Sequence, residues 1–564
     1  MNIFKRLVVI PFLLLAVLLP GCGSDSTEQE SRVDKLLKGM SVEEKVGQIM
    51  VGFFRGAELS AEQRQRIRDL RFGGVILYSS SGNIENTAQV AGLVTSLQNT
   101  ARDAGGIPLF VSIDQEGGWI CRITQGVTLF PGNMALGAGG SAELSASSAG
   151  IMARELRALG INMNFAPVVD VNSNPENPII GVRSFGSSPE DVARLGTAQV
   201  KPYRDAGVLC SAKHFPGHGD TDVDSHLGLP IVRHDRARLD AVELHPFKAM
   251  VKAGVPMVMT AHVVVPALDP SGLPATLSAP ILGVLRKEMG FDGLIITDSM
   301  GMGAIVQGWG LEEASILSFL AGCDILLYGT DKGHEPAEQD GIHRALVAAV
   351  RSGRISMERL DASVRRILTI KDNYGILDDP YPKVEWQASL ASAEHMAVAR
   401  RVADMGVTLA RNNRKLLPLS WGTPIPVVWP TEMASYLQPL LSELPWLVPC
   451  YAPLQPAPED TARVLEAVRG APVVLAGSYN LNSNTRWRDL ILSLDSGNLV
   501  VAAMRSPYDL TRIPNVSTYL AVYSDRPAAM QALAGIIAGR QFPRGLLPVE
   551  LPELYPRGWG MTTF

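Results

Sequence analysis

Cysteine is scarce in this chain. There are five in 564 residues, and no two form a CxxC pair. A zinc cluster built on thiolates is therefore not expected. Cys121, Cys210, Cys323 and Cys450 each sit in or beside an apolar run, which favours buried free thiols over disulfides. Basic runs are missing too. Lys and Arg number 51 against 56 Asp and Glu, for a net charge of −5, so no nucleic-acid partner is expected. The helical HExxH metal pattern is absent. Charged residues make up only 19% and hydrophobic residues 46%, which excludes disorder and implies a large core. The length exceeds that of one ordinary domain.

One apolar run stands apart. Lys5 and Arg6 precede Leu7 to Leu19, and Pro20, Gly21 and Cys22 follow. A basic start, a short apolar stretch and small residues at the break describe a secretory signal, too short for a comfortable membrane span. Leu19-Pro20-Gly21-Cys22 resembles a bacterial lipobox, with Pro20 as a departure. The expectation is a signal over 1–22, lipidation at Cys22 and a polar tether over 23–32. That places the chain on a membrane surface of the cell envelope, at its periplasmic or outer-membrane face, through a lipid anchor. A plain cleaved signal is the alternative. An exported chain could also form disulfides.

From 33 to 378 the chain alternates apolar β-type runs with helix-like segments. The runs are VGQIMVGFF, GGVILYSS, PLFVSID, INMNFAPVVDV, VLCSAKHF, PMVMTAHVVV, GLIITDSM and DILLYGT. Helical periodicity fills stretches between them, such as Asn86–Ala101 and Ala142–Leu159. Eight such units predict an α/β chain folded as a (β/α)8 barrel, with an open doubly wound sheet as the alternative. A Pro- and Asp-rich segment then predicts a linker over 379–390. Beyond it, a helix-like Ala391–Met405 leads to PIPVVWP, APVVLAGSY, NLVVAAMRS and STYLAVYS. These predict a smaller, parallel αβα sandwich over 391–564.

Polar residues gather at the C-terminal ends of the barrel runs, where barrel enzymes place their working groups. They are Asp114 and Glu116 after the third run, Asp170 after the fourth, Lys213 and His214 at the fifth, His262 after the sixth and Asp298 after the seventh. Carboxylates with a separate proton carrier suit glycoside chemistry. Asp298 is the nucleophile candidate; its other reading is an N-cap for a helix starting near Ser299. The segment KHFPGHGDTDVDSH (213 to 226) holds three of the nine histidines. Gly217 and Gly219 would let this loop bend. Asp224 and His226 lie two apart, so in an extended segment they point the same way, and the carboxylate could prop a proton-carrying imidazole. A metal site using His214, His218, Asp220, Asp222, Asp224 and His226, or a solvated loop without a role, are the competing readings.

At these residues the chain resembles glycoside hydrolase family three, in its β-N-acetylglucosaminidase branch. IDQEGGWICRI (113 to 123), NFAPVVDV (164 to 171), RSFG (183 to 186), the 213-to-226 segment and TDSMGM (297 to 302) follow in the family's order. VTLARNNRKLLPL (407 to 419) and GLLPVEL (545 to 551) resemble pieces of a second domain of larger members. The resemblance implies Asp298 as nucleophile, His226 as acid/base and Asp224 as its partner. It implies that Asp114, Arg122, Arg183, Lys213 and His214 bind the terminal sugar, with no metal or other cofactor. Trp119 stands where arginine is usual, and Val182 where glutamate is common. The implied activity is an exo-acting, retaining β-N-acetylhexosaminidase on N-acetylglucosamine-containing glycans: muropeptides, other peptidoglycan fragments or chitooligosaccharides. Hydrolysis of another sugar such as a β-glucoside, phosphorolysis, and a non-catalytic glycan binder are the alternatives.

Overall fold

The computed structural model describes residues 31–564 except 104, 421 and 423. The expected signal, Cys22 and most of the tether lie outside the described residues. The last two tether residues already belong to the fold. Ser31 caps helix Arg32–Gly39 by accepting from the Asp34 N–H, and Arg32 pairs with Asp378 at 2.8 Å and Asp372 at 3.2 Å. Among the described residues no helix is long and apolar enough to cross a membrane.

Eight parallel strands build the first sheet. They are β1 (Met50–Gly52), β2 (Gly74–Ile76), β3 (Phe110–Ile113), β4 (Met163–Asn164), β5 (Leu209–Phe215), β6 (Met257–Thr260), β7 (Leu294–Ile296) and β8 (Leu326–Leu327). Their order is β8-β1-β2-β3-β4-β5-β6-β7. A parallel bridge from Ile296 to Ile325 closes the ring, and the Thr297 N–H donates to Ile325 O at 3.1 Å. Each strand therefore neighbours the next in sequence. An open doubly wound sheet would reverse its order part-way. The strands are short and buried, as expected where helices cover the outside and side chains fill the inside.

The second sheet is mixed, not purely parallel. Its strands are β9 (Thr408–Asn412), β10 (Ile425–Pro430), β11 (Leu447–Ala452), β12 (Val474–Ser478), β13 (Leu499–Ala503) and β14 (Thr518–Ala521). The order is β9-β14-β13-β12-β10-β11, with β9 antiparallel to β14. Alternate residues enter different cores, so both faces are covered. Val427, Leu475 and Val500 join the core with helices Ala393–Gly406, Ala434–Glu443 and Pro527–Ile537. Val428, Ala476 and Val501 join the core with helices Pro458–Ala467 and Thr485–Ser493.

The connecting segment is tied to the barrel's flank. Arg157 donates to the Tyr381 and Asp379 carbonyls at 2.9 and 2.6 Å, and the Lys383 N–H donates to Ala158 O. Closer to the barrel mouth, Gln115–Gly117 and Ile120–Cys121 form a hairpin after β3. Its turn is Gly118–Trp119, and Gly118 takes a φ of 60° there. Arg526 of the smaller unit donates to the Gly118 and Trp119 carbonyls at 2.7 and 3.3 Å.

Candidate active site

A cavity of about 770 Å³ opens at the C-terminal end of the barrel strands. Asp114, Arg122, Arg183, Lys213, His214, His226 and Asp298 all line it. Asp224 touches it through His226. The sequence-expected residues therefore converge on one mouth.

One wall is a buried ion network. Lys213, only 2% exposed, holds Asp114 at 2.9 Å and Glu116 at 2.8 Å. Arg183 grips both oxygens of Glu116, at 3.0 and 2.8 Å. Arg122 donates to Asp114 at 3.2 Å and stacks over the Tyr78 ring. Burial alone would raise Glu116, but Arg183 and Lys213 outweigh it and hold its carboxyl at about 2. Asp114 is lowered in the same way: burial raises it, while Lys213 and Arg122 pull it down further. Paired charges of this kind offer directional donors and acceptors to sugar hydroxyls.

His214 is oriented from both sides. Its Nδ1 meets Asp170 at 2.7 Å and its Nε2 meets Arg183 at 3.3 Å. Arg183 can only donate, so Nε2 offers its lone pair there and Nδ1 carries the proton. Asp170 is fully buried behind this contact and also accepts from the His218 N–H at 2.7 Å. It positions the β5 end and does not line the cavity.

Asp298 follows β7. The next helix begins only at Gly303, so Asp298 does not cap it. Instead its Oδ1 accepts from the Ser299 N–H at 2.7 Å. Burial raises Asp298, yet His214, His262, His226 and that N–H outweigh it, and the carboxyl lies below its usual value. His262 sits behind this segment, out of the cavity. Its Nε2 meets Ser299 O and its Nδ1 meets Thr276, both at 2.8 Å. Burial pushes its pKa down.

The loop after β5 brings Asp224 and His226 together through a turn. The extended segment considered in the sequence is not what forms here. The Leu227 and Gly228 N–H groups both donate to Asp224 O, at 2.9 and 3.1 Å. Asp224 Oδ1 lies 2.8 Å from His226 Nδ1, so Nε2 is the ring nitrogen left for other partners, and His226 lines the cavity. Gly219 serves close packing, since a Cβ there would lie 1.8 Å from Val171 O. His218 locks the loop from beneath, with Nδ1 at 2.8 Å from Thr221 and Nε2 at 2.9 Å from Ser225. Burial drives its pKa to about 4, so it is neutral at pH 7. The loop rests on helix Gly303–Trp309, whose Ala304 N–H donates to Ser225 O at 3.2 Å.

The ligand types in the loop do not gather as a set. Asp222 is exposed, and His214, His218 and His226 have separate partners. Among the described residues Asp220 instead joins His234 and Glu243, with three candidate ligand atoms within 4.8 Å. Arg238 already supplies positive charge there, 3.3 Å from Glu243 and 3.9 Å from Asp220. The remaining cysteines described are free, three of them buried.

Residues 41–370 match the model of the glycosyl hydrolase family 3 N-terminal domain. The chain belongs to glycosyl hydrolase family 3. Within that family it falls in the β-N-acetylglucosaminidase/β-hexosaminidase branch. It is 42% identical over 332 residues to beta-hexosaminidase A of Pseudoalteromonas piscicida, covering 56% of this chain and 55% of that relative's length. It is 30% identical over 522 residues to a beta-N-acetylglucosaminidase/beta-glucosidase of Cellulomonas fimi, covering 86% and 89%. A solved family 3 beta-N-acetylglucosaminidase from Paenibacillus sp. str. FPU-7 superposes with a TM-score of 0.86 at 40% identity, covering 91% of this chain and 99% of that one.

The cavity adds residues that motif reading passed over. Tyr78, Ser299 and Asp331 also line it. Asp331 accepts from the Ser299 hydroxyl, and burial, reinforced by the Asp298 charge, raises its pKa. Its signal was available as the acidic residue after the eighth run.

Proposed function

We propose that this family 3 enzyme is an exo-acting, retaining β-N-acetylglucosaminidase. The observation that carries the reading is that Asp298 and His226 line one cavity, with Asp224 on His226 Nδ1 and Asp298 held ionised. Asp298 attacks the anomeric carbon as His226 Nε2 gives its proton to the departing oxygen. The bond to the leaving group breaks and a glycosyl-enzyme forms on Asp298. Water then passes a proton to Nε2 and attacks the same carbon, freeing Asp298 with the configuration kept. Asp224 holds Nδ1 and steadies the charged ring that gives up its proton in the first step and forms again in the second. Asp114, Arg122, Arg183, Lys213 and His214 bind the terminal sugar.

The names of the relatives support an N-acetylglucosamine substrate. The substrate class is N-acetylglucosamine-terminated wall fragments or chitooligosaccharides. The N-terminal pattern supports export and lipidation at Cys22, which would hold the enzyme on the envelope where such fragments arise. Labelling with a fatty-acid probe, lost in Cys22→Ser, tests the anchor. The function is tested by incubating the protein with methyl β-N-acetylglucosaminide in phosphate buffer and following the released sugar by NMR. The β-anomer of N-acetylglucosamine appearing first is expected. An α-anomer, a sugar phosphate, or no turnover of any N-acetylglucosaminide overturns the reading.

A further inference from the structure

The active-site cavity continues past the barrel mouth. Trp119, Ile179 and Ile180 line it and also line a second pocket of about 130 Å³ between the two units. At roughly 10–15 Å³ for each water, that space holds a group the size of one sugar ring. Its far wall comes from the segments that follow strands of the second sheet, including Asn480, Asn482 and Arg512, the last ending the short helix Asp509–Arg512. The wall is clamped to the barrel: Arg512 and Asn482 donate to the two oxygens of Glu176 at 2.6 and 2.8 Å. Amide and carboxylate groups of this kind suit hydroxyls.

Trp119 stands where the two spaces meet. It is 49% exposed, at the tip of the hairpin turn. The residue is nevertheless held. The Arg505 guanidinium lies 3.9 Å from the ring centroid, a cation–π stack. Arg505 is itself mostly buried and lies 3.5 Å from Asp525. Arg526 fixes the Trp119 carbonyl. With one face covered by Arg505, the exposure falls on the other face and the edge. An indole face offers apolar surface of the shape that the C–H face of a pyranose presents.

We propose that Trp119, propped by Arg505, is the platform for the first sugar ring of the leaving group, and that the inter-domain pocket receives the ring beyond it. The assignment rests on the N-acetylglucosaminidase reading and narrows it to oligosaccharide chains. It gives the smaller unit a part in choosing the substrate. Trp119 stands where arginine is usual in the resembling motif, so the platform is a departure from that motif.

The test compares kcat/KM for chitotriose with that for methyl β-N-acetylglucosaminide, whose leaving group has no ring. The ratio is measured for wild type, Trp119→Ala, Trp119→Arg and Arg505→Met. The ratio should fall by about tenfold in both Trp119 variants and by a smaller factor in Arg505→Met, mostly through KM for chitotriose. A ratio within twofold of wild type in the Trp119 variants overturns the platform. Should Trp119→Ala fail to fold, Trp119→Arg carries the comparison. If wild type cleaves neither substrate, the enzymatic reading falls and the platform is read by calorimetry. Equal affinity of wild type and Trp119→Arg for chitotriose then overturns it.

Discussion

One oxygen of Asp224 serves His226 twice: Oδ1 accepts from the His226 backbone N–H at 2.9 Å and faces its Nδ1 at 2.8 Å. The ring is thereby aimed by a single carboxylate oxygen. His226→Ala should lose about 10²- to 10⁴-fold in kcat/KM on chitobiose, a poor leaving group. With a dinitrophenyl leaving group, which departs without a proton, the first step should lose far less. Steady-state rates on the two substrates check this, and equal losses remove the acid role.

Asp298 is expected to carry the covalent step. Asp298→Ala should lose at least about 10³-fold in kcat on every N-acetylglucosaminide, activated or not. Added azide should restore turnover and give a glycosyl azide of inverted configuration, seen by NMR. Absence of rescue with intact folding would move the nucleophile elsewhere, with Asp331 next in line.

Glu116 joins Lys213 and Arg183 out of solvent. Glu116→Gln leaves both cations short of a counter-charge and should cost about 3–5 kcal/mol in denaturant unfolding. The pH sign follows from its depressed pKa of about 2. The stabilisation is complete above the ordinary glutamate value and is lost as pH falls toward 2. Wild type should therefore lose stability between pH 4.5 and 2.5 more steeply than Glu116→Gln, at roughly 1.4 kcal/mol per unit.

Lys371 lies under the barrel, fully buried, with Nζ 2.9 Å from Gln48 Oε1. Burial moves its pKa from the usual 10.5 down to about 7. Between those values the unfolded chain binds more protons, so stability rises with pH; below 7 the cost of the buried charge is complete. Lys371→Met should raise the Tm at pH 6, and its advantage over wild type should shrink by pH 10. A difference independent of pH would mean that the amine keeps its ordinary pKa in the fold.

Much of this was legible in the chain. The eight barrel runs, and the polar residues at the ends of the third to the seventh, read directly, because a parallel strand buried on both faces leaves polar groups only at its rim. Two strands of the second sheet did not read. Leu447–Ala452 carries Pro449, a residue that argues against a central strand, and the segment proves to be an edge where a missing N–H is tolerated. Thr408–Asn412 ends in Arg-Asn, and its antiparallel pairing follows from contact with β14, more than a hundred residues away. The loop after β5 was read with the correct pair and the wrong backbone, since a two-residue spacing fits a turn as well as a strand. Trp119 could be noticed but not placed: its neighbours Arg505 and Arg526 come from the other half of the chain.

The Arg526 clasp on the Gly118 and Trp119 carbonyls makes the two halves partners in one tool. A shortened protein ending at the connector would keep its reacting groups yet present a slack hairpin. Any effort to graft this barrel onto a different companion must reproduce that grip, or it will build a catalyst that has forgotten which chain to hold.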